Sequence, residues 1–315
     1  MDRGVLIGGI IFGLLLAMPV ILPIVGANYL SGLLIKAMLL AIAALSLDLI
    51  IGHGGMVSLG HAAFIGIGAY ATAISLENGI EEILLLFLIA LGATASIALV
   101  TGVLALRTSG VYFLMITLAF GQMTFFTLTS LAAYGGDDGL TLWSLATLFG
   151  SDIVQEGEGL YFFVLVILIF TWIGVWRISR SRFGRVLKAA RDNPKRAEVM
   201  GYPVARYQLI AYVIAACIAG ISGLLLVQYA EFVSPSIAAW QRSGDLIVAI
   251  VLGGLGSRNG AILGAFFIVI MEEFLSSIFH EWRLIYGPLL VLLVLYAKGG
   301  LSDLILPKSS GAGRN

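Results

Sequence analysis

Long apolar runs constrain this chain more than any other feature: Val5–Val25, Leu30–Ile51, Ile83–Leu106, Val111–Ala133, Leu160–Trp176 and Leu209–Tyr229. Each is close to the roughly 20 residues that carry a helix across a ~30 Å hydrocarbon core. A water-soluble fold could not conceal them, since 60% of the 315 residues are hydrophobic and only 11% charged, where a soluble domain is about a quarter charged. A transmembrane β-barrel would need ~10-residue segments of alternating polarity, and that pattern is absent. The expected fold is all-α, a polytopic transmembrane helical bundle forming a single domain over residues 1–315. The first run is longer than a signal-peptide core and lacks a small-x-small cleavage site, so it is read as the first span. The lone cysteine, Cys217, lies inside an apolar run and reads as a small core residue.

Net charge is zero, but the charges are unevenly placed. Half of the 18 Lys and Arg fall in residues 177–206: Arg177, Arg180, Arg182, Arg185, Lys188, Arg191, Lys195, Arg196 and Arg206. The excess of basic residues in cytoplasmic loops assigns that stretch to the cytoplasm. Counting back through the spans makes Ala133–Gly159 external, and it holds Asp137, Asp138, Asp152, Glu156 and Glu158 without a Lys or Arg. Arg107 then falls inside, Glu77, Glu81 and Glu82 outside, and the N-terminus with Arg3 inside. Lys298, Lys308 and Arg314 place the tail, 298–315, in the cytoplasm as well. An odd number of crossings after Glu231 follows, and eight to ten membrane segments in all, some only half-crossing.

Two glycine-rich breaks interrupt the runs: Gly52-His53-Gly54-Gly55 through Ser58 to His61, and Gly253-Gly254-Leu255-Gly256-Ser257-Arg258-Asn259-Gly260. Glycine releases the backbone from helical geometry. At membrane depth such backbone survives only where protein buries it or where it lines a wet cavity. Corresponding breaks in two halves suggest discontinuous helices related by an internal repeat around a pathway; tight packing through small residues is the alternative. Charge is costly in the apolar core and tends to be kept for function, which makes Asp48, His53, His61, Asp245 and Arg258 candidates alongside the glycines. A site near the interface, where water reaches them, is their plainer explanation. Lys36 can reach outward along its own stem.

The basic loop parses as two short helices. Arg185, Lys188 and Arg191 recur every third residue opposite Val186, Leu187 and Ala190. The second helix has Asn193 as N-cap, Pro194 at its first position, and Gly201 with Pro203 as its stop. A capped helix on the cytoplasmic face suits docking into a partner protein; lying on anionic headgroups is the alternative. No Gly-x-x-x-x-Gly-Lys-Ser/Thr loop occurs, so nucleotide chemistry would belong to a partner.

Taken together, several motifs in order resemble the permease subunits of branched-chain amino acid ABC importers, over nearly the whole chain. They are Ala44-Leu45-Ser46-Leu47-Asp48-Leu49, Ser58-Leu59-Gly60-His61-Ala62-Ala63-Phe64 and Gly66-Ile67-Gly68-Ala69-Tyr70. Ser109-Gly110-Val111-Tyr112-Phe113, Thr117-Leu118-Ala119-Phe120-Gly121 and Gly135-Gly136-Asp137-Asp138-Gly139-Leu140 follow. Gly184-Arg185, Arg191-Asp192-Asn193, Ala197-Glu198, Gly201, Arg206-Tyr207 and Val251-Leu252-Gly253-Gly254-Leu255-Gly256-Ser257 complete the set. The long external loop and the pair Tyr112-Phe113 resemble the larger, M-type subunit.

The resemblance implies an inner-membrane permease paired with a similar second permease, two cytoplasmic ATP-binding cassette subunits using ATP and Mg, and an external solute-binding protein. No enzyme activity, cofactor, metal or nucleic-acid partner is implied for this chain. The candidate pathway residues are Asp48, Ser58, His61, Tyr112, Asp245, Gly253, Gly254 and Ser257. The ATPase-coupling residues are Arg185, Arg191, Pro194, Glu198 and Gly201. Asp245 stands where relatives often carry Glu, and His53-Gly54-Gly55-Met56 replaces a commoner Tyr-Ala-Gly-Gln type of stretch. Since the same scaffold serves urea, short amides and aromatic or organic acids, these solutes stand beside branched-chain amino acids. A stand-alone ion-coupled carrier using Asp48 and Asp245 is the rival of another class. A metal enzyme is disfavoured, because eight residues separate His53 from His61, where three or four would share a helical face.

Overall fold

The computed structural model describes residues 3–25, 29–155, 157–278, 281, 284–290 and 300. In it the apolar runs are helices: α1 (Arg3–Val25), α2 (Tyr29–Asp48), α3 (Ala62–Glu77), α4 (Ile83–Ala105), α5 (Val111–Thr129), α6 (Gly157–Arg180), α9 (Val204–Ala230), α10 (Trp240–Gly253) and α11 (Gly260–Ile278). Between α6 and α9 the basic loop forms α7 (Arg182–Asp192) and α8 (Pro194–Val199). Six of the described helices are long and apolar enough to cross a membrane, and α3 and the middle of α1 are shorter apolar helices. The chain is a multi-pass membrane protein with a helical-bundle fold. The short apolar stretch Leu284–Tyr296 is helical over 284–290 and otherwise lies outside the described residues, as does the tail from 301 to 315 with Lys308 and Arg314. Lys298 and Glu156 lie outside them too.

α2 is the central element: 83% of its most apolar window is buried, against 22% for α5. It packs on α6, α9, α10 and α11. The most extensive pair is α3 with α9, and small residues explain it. Gly68 lies against the Gly220 backbone, and Gly223 against the Ile65 carbonyl. Burial of apolar side chains cannot distinguish a protein neighbour from lipid, so close backbone approach and dispersion hold such helices together.

The bundle has a basic end, with α7, α8 and Arg107, and an acidic end that carries the 130–155 loop. There Leu140–Thr141 (β1) pairs antiparallel with Phe232–Val233 (β2), Leu140 opposite Val233. Buried Gln228 fastens this loop by accepting from the Ala146 N–H at 3.0 Å and donating to the Val154 carbonyl at 3.1 Å. Gln228→Leu should leave helix content unchanged but orphan these backbone groups, at about 1–3 kcal/mol each. Faster protease nicking between residues 142 and 155, mapped by mass spectrometry, is the expected outcome; an unchanged cleavage pattern would contradict it.

Candidate functional site

The two glycine-rich breaks, some 200 residues apart in sequence, meet at the basic end. α2 does not stop at Asp48 but widens into a π-helical turn, Leu49–His53. Asp48 is 2% exposed, and its Oδ1 accepts the Gly256 N–H at 2.8 Å. His53 Nδ1 lies 3.4 Å from the Asp48 carbonyl and 4.0 Å from Asp48 Oδ2. A Cβ at Gly52 would overlap both Asp48 Oδ1 and the Gly256 backbone. Gly256 itself has φ +65°, a left-handed conformation suited to glycine. The glycines therefore allow the π-helical turn and a non-helical backbone to touch, and Asp48 satisfies an amide that no helix would.

Beyond Gly55 the chain leaves helical geometry and re-enters the bundle. Leu59 donates its N–H to Thr117 Oγ1 at 3.3 Å, and a Cβ at Gly60 would strike the Thr117 carbonyl. α3 then starts inside the bundle, its Ala62 N–H donated to Ser243 Oγ of α10 at 2.9 Å. Fully buried His61 lies with Nε2 2.7 Å from Ser46 Oγ. Ser46 spends its one hydroxyl proton on the Ala43 carbonyl at 2.6 Å, so the shared proton with His61 is assigned to Nε2. α3 and α10 are thus discontinuous helices whose first turns face each other.

The second break is held from the side by α6. Trp172 Nε1 donates to the Arg258 carbonyl at 3.1 Å and to Asn259 Oδ1 at 3.0 Å. The Arg258 guanidinium lies over the Trp172 and Trp176 rings, 4.4 and 4.0 Å from their centroids. Gly253 packs on the Gly260 carbonyl, and Gly254 has φ +111° with Gly300 against it.

Beneath this junction lies α7, capped by Ser181, whose Oγ accepts the Gly184 N–H at 3.2 Å. Val186, Leu187 and Ala190 are buried, while Arg185 and Lys188 are exposed. Arg191 turns to the junction: its Nη1 donates to the Gly52 carbonyl at 2.5 Å. Its Nε and Nη2 both donate to Asp192 Oδ1 at 3.2 Å. In α8, Asn193 Oδ1 accepts the Arg196 N–H at 3.0 Å, Pro194 opens the helix and Gly201 closes it at φ +87°. Ala197 is buried with Ala190 and Val204, which fixes α8 to the bundle. Glu198 is exposed, Val199 is 89% exposed and Met200 63%.

Among the described residues, cavities accompany these elements, three of which bear on the candidate residues. One of about 270 Å³ is lined by Asp48, His53, Ser257, Arg258 and Lys188 among others. Half-open cavities of about 740 and 420 Å³ lie further along the bundle and share Leu40, Arg242, Asp245 and Glu272. The structure therefore gathers Asp48, Gly253, Gly254 and Ser257 at the junction and places Asp245 in a different cavity. Ser58 and His61 are buried and line none of the three, and Tyr112 is 76% exposed. Sequence reasoning passed over Arg242, Glu272 and Gln122. Gln122 and Glu272 carried a signal, as polar or charged residues in otherwise apolar stretches, whereas Arg242 sits in the polar run 241–245. Among the described residues no group of three His, Cys, Asp or Glu could hold a metal ion.

The sequence profile of the family described as branched-chain amino acid transport system / permease component matches residues 29–297. The chain is 28% identical over 295 residues to the high-affinity branched-chain amino acid transport system permease protein LivM of Escherichia coli, covering 86% of this chain and 69% of that protein. A probable branched-chain amino acid transport permease protein LivH of Methanocaldococcus jannaschii is 30% identical over 150 residues, 44% of this chain and 45% of its own length. The autoinducer 2 import system permease protein LsrC of an Enterobacter species is 30% identical over 224 residues, covering 67% of this chain and 61% of that protein. No solved structure matches.

Proposed function

The chain belongs to the family of branched-chain amino acid transport system permease components and is a permease subunit of an ABC importer; from that premise we propose that it moves branched-chain amino acids through the inner membrane. In this reading it pairs with a second, similar permease and takes solute from an external binding protein. Two ATP-binding cassette subunits dock on α7 and α8 at the cytoplasmic, basic end, and they supply the ATP and Mg chemistry. Urea, amides and aromatic or organic acids are alternative solutes for the same scaffold.

The observation that carries the docking assignment is α8. Both its ends are capped and its Ala197 is anchored, yet Val199 and Met200 project outward. An apolar tip held rigid at small entropic cost is what a groove on a partner can grip. A membrane-bound α8 would share the basic charge, so the two must be separated by experiment. Burying Val199 against a partner contributes about 1.5–3 kcal/mol, so the V199D/M200D double variant should weaken retention of the ATP-binding subunits at least tenfold. Co-purification from membranes, at unchanged permease abundance, is the measurement. Full retention of the ATPases with normal uptake would sink the assignment, as would uptake by the chain alone in liposomes driven by an ion gradient.

A further inference from the structure

The larger half-open cavity is bounded by α5, α10, α11 and residues Tyr286–Gly287. Its walls combine apolar Leu40, Phe125 and Ile268 with Arg242, Asp245 and Glu272. These charges lie at hydrocarbon depth. At ~1.5 Å rise per residue, Glu272 stands about 18 Å beyond the start of α11 and about 9 Å before its end at Ile278. Trp240, the first residue of α10, lies near the start of α3, well inside the bundle, because Ala62 meets Ser243 and Gly66 meets Ala238. Arg242 and Asp245 are nonetheless 62% and 46% exposed, 3.9 Å apart through Nη1 and Oδ2. Charges so placed cannot face lipid at low cost and are kept where water or protein surrounds them. The open side of the cavity must therefore be closed by protein around an aqueous space.

We propose that this cavity is this chain's half of the solute pathway, with the second permease supplying the other half, and that Arg242, Asp245 and Glu272 contact the two charged ends of a zwitterionic solute. The proposal rests on the permease reading above and adds the contacting residues. A guanidinium matches a carboxylate through paired N–H donors. Asp245 and Glu272 can accept from an ammonium, while Leu40, Phe125 and Ile268 receive an aliphatic side chain. A solute with both charges can replace each half of the Arg242–Asp245 pair as it enters. A neutral amide leaves that pair unbroken, and a simple anion leaves the acids unmatched.

Two measurements on the complete reconstituted importer test this. In a Cys217→Ala background each introduced cysteine is the only one in this chain. Gln122→Cys and Gln241→Cys line the cavity, whereas Met123→Cys is exposed on α5 and is not among the lining residues. A membrane-impermeant methanethiosulfonate should modify the first two at least tenfold faster than the third, and modification should stop uptake. Equal rates, or modification without loss of uptake, overturn the pathway assignment. In the second measurement, the preference for leucine over leucinamide, which lacks the carboxylate, should fall at least tenfold in Arg242→Gln. The same external binding protein serves both variants, so its own selectivity cancels in that comparison. An unchanged preference overturns the solute contact. A wild-type importer that moves urea and not leucine overturns the zwitterion assignment while the ABC importer reading stands.

Discussion

Gly68→Val is expected to yield little or no folded protein. A Cβ at residue 68 would stand 2.6 Å from Gly220 Cα and 2.7 Å from its carbonyl carbon. These neighbours are backbone, so no rotamer change relieves the overlap, and α3 must separate from α9 along the most extensive helix contact of the bundle. Overpacking against movable side chains already costs about 1–3 kcal/mol, and lipid offers the separated faces an equally apolar surface, so nothing drives them back together. The control is Gly92→Val in α4, where nothing lies within 4 Å of the added Cβ. Size-exclusion profiles and melting in detergent should show loss of the Gly68→Val monodisperse peak and a near wild-type Gly92→Val. A Gly68→Val protein melting within about 2 °C of wild type would mean that α3 and α9 do not approach as described.

Arg191→Ala should separate ATP hydrolysis from transport. Of the residues proposed for coupling, Arg191 is the one whose described hydrogen bonds reach the glycine-rich breaks, through the Gly52 carbonyl. Gly52 in turn touches Gly256, whose amide Asp48 holds. On the proposed docking, a displacement of α7 would reach both glycine-rich breaks through two hydrogen bonds. A charge-assisted bond of this kind contributes about 1.5–3 kcal/mol, so the predicted loss is roughly tenfold to a hundredfold in solute moved per ATP. The ATP-binding subunits should remain bound, because the exposed tip at Val199 and Met200 is untouched. Arg191→Lys should recover part of the coupling, while Asp192→Ala, on the outward side of the guanidinium, should retain most of it. Wild-type stoichiometry of transport in Arg191→Ala would remove the link; a fall in melting temperature alone, without uncoupling, would reduce Arg191 to a packing role.

Features that depend on neighbours in sequence were legible without coordinates. Asn193, Pro194 and Gly201 delimit α8 because a cap is satisfied within three or four residues of itself. The breaks at Gly52 and Gly253 were visible for the same reason. What each break touches was not, since Asp48 and Gly256 are separated by 208 positions and joined by one hydrogen bond. Tyr112 shows the converse limit: it belongs to a recognisable motif, yet its side chain is on the surface of the chain. Arg242 and Glu272 went unremarked because neither sits in a motif, and only the folding of α10 beside α11 places them on one cavity.

Hydrophobic length determined that this chain would be a bundle of membrane helices, since water can hide no such runs and lipid demands that each satisfy its own backbone. Composition could not say which helix face meets which. In a soluble helix the polar face marks the outside, but lipid and protein interior are both apolar, so α4 and α5 carry almost no sidedness to read. Tertiary structure alone decided that α2 is central, that α3 threads against α9 through glycine, and that two distant glycine-rich breaks close on each other above Arg191.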